Sequence, residues 1–208
     1  MDYTLNSHSI GCNYISVIPL LGMTKQSRFF SIKRKNPVYN SSMPKQDNPA
    51  QEIGDLLRSQ SRYLATAESC TGGLLGHRIT EIPGSSDYYL GGFISYAYEA
   101  KKRWLGVKES TLARHGAVSR ETVLEMAAGA RTAFGTDYPS ASIIAVSISG
   151  IAGPAGGTPQ KPVGTVWIAI SSPGSESASR YFFTGDRSTI KSQSANQALA
   201  DLLAFLNK

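Results

Sequence analysis

Residues 63–84 read YLATAESCTGGLLGHRITEIPG. Tyr63 to Ala67 reads as a short strand, and Leu74, Leu75, Arg78, Ile79 and Ile82 then recur at the spacing of one helical face, which stops at Pro83 and Gly84. A strand that turns directly into a helix is the building unit of a layered α/β domain, and Ser69 falls at the junction.

The pattern continues on both sides. Upstream, Ile53, Leu56 and Leu57 stand at helical spacing from Gln51 onward. Downstream, YYLGGFISYAY (88–98) reads as a strand and EAKKRWLGV (99–107) as a helix that ends at Gly106. Thr111 to His115 gives a short helical turn. Ser119 is placed to cap RETVLEMAAGARTAF, whose Val123, Met126, Ala127, Ala130 and Phe134 share a face. The β-branched density of residues 142–150 (SIIAVSISG) marks a buried strand, followed by the glycine-rich loop 150–164, strands TVWIAI (165–170) and RYFFTG (180–185), and a last helix carrying Ile190, Leu199, Leu202, Leu203 and Leu206. The late strands are close enough to form a hairpin, so the sheet is expected to be mixed.

The chain has 208 residues, 41% of them apolar and 9% aromatic, which suits one globular domain with a proper core. No stretch approaches the roughly 18 apolar residues of a membrane helix. The net charge of +6 is concentrated: Lys25, Arg28, Lys33, Arg34, Lys35 and Lys45 face only Asp2 within residues 1–45, leaving +1 for the rest. A basic tail of this kind argues against a nucleic-acid binder, whose cations would line the folded surface.

Residues 1–45 show no sustained periodicity and are read as a disordered basic extension, with the domain over 46–208. An upstream extension with a natural start at Met43 is favoured over an organellar transit peptide, and VIPLLGM is too short for a secretory core. Cys12 and Cys70 cannot supply a disulfide framework, which makes a reducing, cytoplasmic compartment the default.

Three segments carry candidate chemistry. Ser69 lies beside the N–H groups of Cys70, Thr71, Gly72 and Gly73, which can stabilise an oxyanion, although a serine there more often only caps its helix. Tyr96 and Lys101 of SYAYEAK offer a hydroxyl and an amine, and a lysine depressed by burial deprotonates a serine without any histidine. Taken singly, a core tyrosine and a solvated lysine are the commoner outcomes. The loop from Gly150 frees backbone N–H groups for a ligand, or serves equally well as a structural turn. Cys70 is a rival nucleophile with no suggested base, and His8, His77 and His115 lack metal-site spacing.

In order along the chain, AESCTGG, SYAYEAKKRWLGV, HGAVS, SISGIAGPAGGTPQKPVGTVW and FTGDR closely resemble the CinA C-terminal domain, the nicotinamide mononucleotide deamidase family, over about Gln51 to Lys208. The resemblance implies a three-layer α/β/α sandwich with a mixed central sheet. It further implies hydrolysis of the carboxamide of nicotinamide mononucleotide to nicotinic acid mononucleotide and ammonia, without metal or organic cofactor. Catalytic roles fall on Ser69, Tyr96 and Lys101. Substrate contacts fall on Cys70, Thr71, Gly72, Gly73, Ser149, Gly150 and Arg187, where Ser149 stands in place of a frequent family threonine and Arg187 would meet the phosphate. Asp186 is then expected to act as a helix N-cap. The family suggests a homo-oligomer, while the charge distribution and the apolar run lengths give no nucleic-acid or membrane partner. The rival from another class is a non-catalytic nucleotide-binding or interaction module, in which Lys101 stays solvated. The distance from Lys101 Nζ to Ser69 Oγ discriminates the two.

Overall fold

The computed structural model describes residues 48–208, so the expected extension over 1–45 lies outside the described residues. Asn48 caps the first helix, α1 (Pro49–Ser59), by accepting the Ala50 N–H at 3.1 Å, and Ile53 and Leu57 turn inward. β1 (Tyr63–Glu68) follows, then α2 (Leu74–Thr80), β2 (Tyr89–Ile94) and three consecutive helices: α3 (Tyr98–Leu105), α4 (Glu109–His115) and α5 (Arg120–Phe134). The chain ends in β3 (Ile143–Gly150), β4 (Thr165–Ser172), β5 (Ser175–Phe182) and α6 (Arg187–Leu206).

The five strands lie in the order β2-β1-β3-β4-β5. β1 pairs in parallel with both β2 and β3, while β3–β4 and β4–β5 are antiparallel, which makes the expected mixed sheet. Strand β1 exposes neither face. Its Leu64 packs into the core shared with α1, α2 and α6, and its Ala65 and Ala67 into the core shared with α3, α4 and α5. Small side chains on that second face allow α5 to lie close. At Gly129 of α5 a Cβ would collide with the Leu105 carbonyl at the end of α3.

Three local differences from the sequence reading have physical causes. Helix α2 starts at Leu74 rather than at Ser69, because Gly72 and Gly73 adopt φ values of 63° and 99°, which end any helix extending back toward the strand. The β2 strand stops at Ile94, where Ser95 donates its N–H to the Glu68 carbonyl and the chain leaves the sheet. Finally, β5 begins five residues before RYFFTG, since pairing with β4 recruits the polar SESAS segment, most of it exposed at the sheet edge with no apolar alternation to announce it. Among the described residues no helix is long and apolar enough to cross a membrane.

The connection from β1 runs to β2 on one side, whereas β3 continues to β4 on the other. Strand order therefore reverses between β1 and β3, and the carboxyl ends of these strands flank a crevice of the kind where α/β sheets hold ligands. Ser69 follows β1 directly, and its N–H is held by the Ile148 carbonyl of β3 at 2.9 Å.

Candidate active site

Ser69 is nearly buried, at 8% exposure, and Lys101 on α3 is fully buried at 0%. Lys101 Nζ lies 3.0 Å from Ser69 Oγ, 2.5 Å from the Ser95 carbonyl and 3.4 Å from the Tyr96 carbonyl. No carboxylate forms an ion pair with it among the described residues. Burial without a counter-charge disfavours the ammonium and lowers its pKa from the ordinary 10.5 to about 8. An amine that gives its two hydrogens to the two carbonyls directs its remaining lone pair at the serine hydroxyl.

The turn between β1 and α2 is held by Glu68, a residue the sequence reading did not single out. Its carboxylate is buried, with Oε2 accepting the Gly73 and Leu75 N–H groups at 3.0 and 3.1 Å and Oε1 the Gly76 N–H at 2.8 Å. The signal was present as an acid at the strand end, but its contacts lie five to eight residues away, outside the usual capping spacing. Of the four expected oxyanion donors two are already engaged: the Gly73 N–H by Glu68 and the Gly72 N–H by the Ser69 carbonyl at 3.2 Å. The N–H groups of Cys70 and Thr71 hydrogen-bond to no other described residue. The Thr71 hydroxyl is buried without a partner, and so is that of Ser95.

Cys70 points into the core and burial pushes its thiol up to about 12, so no thiolate is available for a cysteine nucleophile. The Tyr96 side chain, by contrast, is 60% exposed. Its hydroxyl accepts from Arg187 Nη2 at 3.0 Å, and the second guanidinium nitrogen, Nη1, donates to the Gly153 carbonyl at 2.8 Å. The link from Tyr96 to Lys101 thus runs through the tyrosine carbonyl, not its hydroxyl. Asp186 caps α6 by accepting the Thr189 N–H at 2.7 Å, which leaves Arg187 at the exposed helix start.

Ser149 is buried at the end of β3 and donates its hydroxyl to the Ala117 carbonyl at 2.7 Å, fixing the loop that joins α4 to α5. Gly150 is required by close approach, for a Cβ there would stand 2.6 Å from Val166 Cγ2. Lys191 also reaches the cleft: a Cβ on Gly72 would lie 3.8 Å from its Nζ.

Fold and cleft define a three-layer α/β protein with a serine–lysine pair in contact at the switch point of its sheet. The family model of the CinA C-terminal domain matches residues 46–206, and the chain belongs to that family. It is 47% identical over 154 residues to the nicotinamide-nucleotide amidohydrolase PncC of Escherichia coli (strain K12), covering 74% of this chain and 90% of that protein. Identity to a CinA-like protein of Salinibacter ruber is 48% over 149 residues, covering 72% of this chain and 35% of the relative; the chain spans about a third of that longer protein. A solved CinA superfamily protein of Klebsiella pneumoniae matches with a TM-score of 0.70 at 37% identity, over 76% of this chain and 96% of that one.

Proposed function

We propose that the chain is an amidohydrolase that deamidates nicotinamide mononucleotide through a Ser69 nucleophile with Lys101 as its base. The observation that carries this reading is the 3.0 Å contact between a serine hydroxyl and a fully buried amine with no counter-charge. A solvated, protonated Lys101 would have favoured the non-catalytic module. The similarity to an amidohydrolase over nine-tenths of that relative's length supports the choice of substrate.

In the reaction, neutral Lys101 takes the Ser69 proton as Oγ attacks the carboxamide carbon. The carbonyl oxygen becomes an oxyanion held by the Cys70 and Thr71 N–H groups. The protonated Lys101 then gives its proton to the departing nitrogen, ammonia leaves, and water hydrolyses the ester with Lys101 again as base. Arg187, steadied by Gly153 and with Tyr96 at its other fork, offers a guanidinium at the mouth of the cleft for the substrate phosphate. Tyr96 then acts by orienting that arginine and the substrate.

Replacing Ser69 with alanine should abolish ammonia release from nicotinamide mononucleotide while leaving the circular dichroism spectrum and melting temperature near those of the parent protein. Turnover surviving in purified Ser69→Ala protein refutes the nucleophile. Parallel incubation with nicotinamide tests the phosphate contact, because an enzyme that relies on Arg187 works poorly on the free amide.

A further inference from the structure

A second concave site lies outside the serine–lysine cleft. It is a cavity of about 440 Å³, walled by the end of α4, the start of α5, the loop around Lys161 and the α5-facing side of the β4–β5 hairpin. None of its lining residues is Ser69, Tyr96, Lys101 or Arg187. Three exposed arginines converge on it from three separate segments: Arg114 closes α4, Arg120 opens α5, and Arg180 stands opposite Trp167 in the β4–β5 register.

Charge and shape point the same way. Arg114 and Arg120 make no side-chain hydrogen bond or ion pair among the described residues, and Arg180 donates only to the Gln160 carbonyl at 3.2 Å. Lys161 adds a fourth cation, tied to the His115 carbonyl at 2.7 Å. Against these stands one carboxylate in the lining, Glu121, whose Oε2 lies 3.7 Å from His115 Nδ1. Four permanent cations and a single acid gather here in a domain whose charge beyond residue 45 is only +1. Such a concentration is repulsive unless an anion occupies it. Trp167 supplies the second element, because its partly exposed indole lies in the wall while its inner side packs on the core of α5.

We infer that this pocket is a second binding site that takes a nucleotide, with the phosphate held by Arg114, Arg120 and Arg180 and the base lying against Trp167. A volume near 440 Å³ suits a ligand of nucleoside monophosphate size, guanidinium forks match phosphate oxygens bidentately, and a flat ring stacks on indole. The inference does not rest on the deamidase reading, and its test does not use turnover.

Trp104 and Trp167 are the chain's two tryptophans, and Trp104 is 53% exposed on α3. The Trp104→Phe protein therefore carries Trp167 as a single fluorescent reporter. Adenosine monophosphate should quench it saturably with a midpoint below about 1 mM. Inorganic phosphate should compete at higher concentration, and adenosine should bind at least tenfold more weakly than its monophosphate. The exposed substitutions Arg114→Ala and Arg120→Ala, added separately and checked for an unchanged circular dichroism spectrum, should each raise the midpoint about tenfold. Absence of saturable quenching to about 10 mM overturns the inference. So does quenching that is equal for adenosine, or that is indifferent to both arginines. If phosphate binds as well as the nucleotide, the site is an anion hole and the base-stacking assignment fails.

Discussion

The Lys101 amine is buried with carbonyls and a hydroxyl around it and without an acid, and this sets two pH dependences of known sign. The proposed reaction needs the neutral amine, which is scarce below its pKa of about 8. Deamidation of nicotinamide mononucleotide should therefore climb about tenfold per pH unit on the acid side and level off above about pH 8, a profile that kcat measured between pH 6 and 10 will show. Stability follows from the same shift. The folded value lies below the ordinary 10.5, so between about 8 and 10.5 the unfolded chain holds the extra proton and folding strengthens as pH rises. Below that window both states are protonated and the full burial penalty applies. The Lys101→Met protein should lack turnover. Relative to it, the parent should gain on the order of 3 kcal/mol of unfolding free energy from pH 8 to 10.5, as read by urea titration at each pH. The residues of this pair were legible from sequence, but their environment was not. EAKKRWL carries Lys101, Lys102 and Arg103 in succession, and nothing local says which one turns inward. Packing of α3 on α5 decides it, and with it the exchange of expectations whereby the lysine is buried and Tyr96 exposed.

At the level of elements, the strand–turn–helix unit around Ser69 was readable because its two periodicities meet at a glycine pair. The donors it offers were not, since they depend on which N–H groups the fold consumes. Glu68 consumes three, and by doing so sets the orientation of the turn from which the Cys70 and Thr71 N–H groups project. A Glu68→Gln substitution keeps the shape but turns one acceptor into an N–H₂ that abuts a backbone donor. It should cost roughly 2 kcal/mol of stability and lower kcat by about tenfold or more, with a smaller change in KM. A purely structural capping role would reduce the melting temperature and leave kcat per folded molecule unchanged, so both are to be measured on the same sample. The β5 extension was illegible for the opposite reason: an exposed edge strand has one solvent-facing side and, here, little apolar patterning to give it away.

Over the whole molecule, the layered α/β architecture and mixed sheet followed from alternating elements and a late hairpin, whereas the reversal of strand order that creates the crevice is a matter of long-range pairing. That reversal brings together groups from both sides of the sheet. Ser69 comes from the β1–α2 connection, Lys101 from α3 on the face packed with α5, and Arg187 from the start of α6 on the opposite face. In a urea series, loss of ammonia release should coincide with loss of helical circular dichroism, the two midpoints agreeing within error; activity that disappears well before the helices melt would show a cleft that loosens by itself. The proposed nucleophile, base and anchoring cation thus hang from separate elements of the fold. On the proposed mechanism, a fragment that lacks either β1 or α3 should carry no stray amidase chemistry, because Ser69 and Lys101 meet only where the β1–α2 turn and α3 are both seated on the sheet.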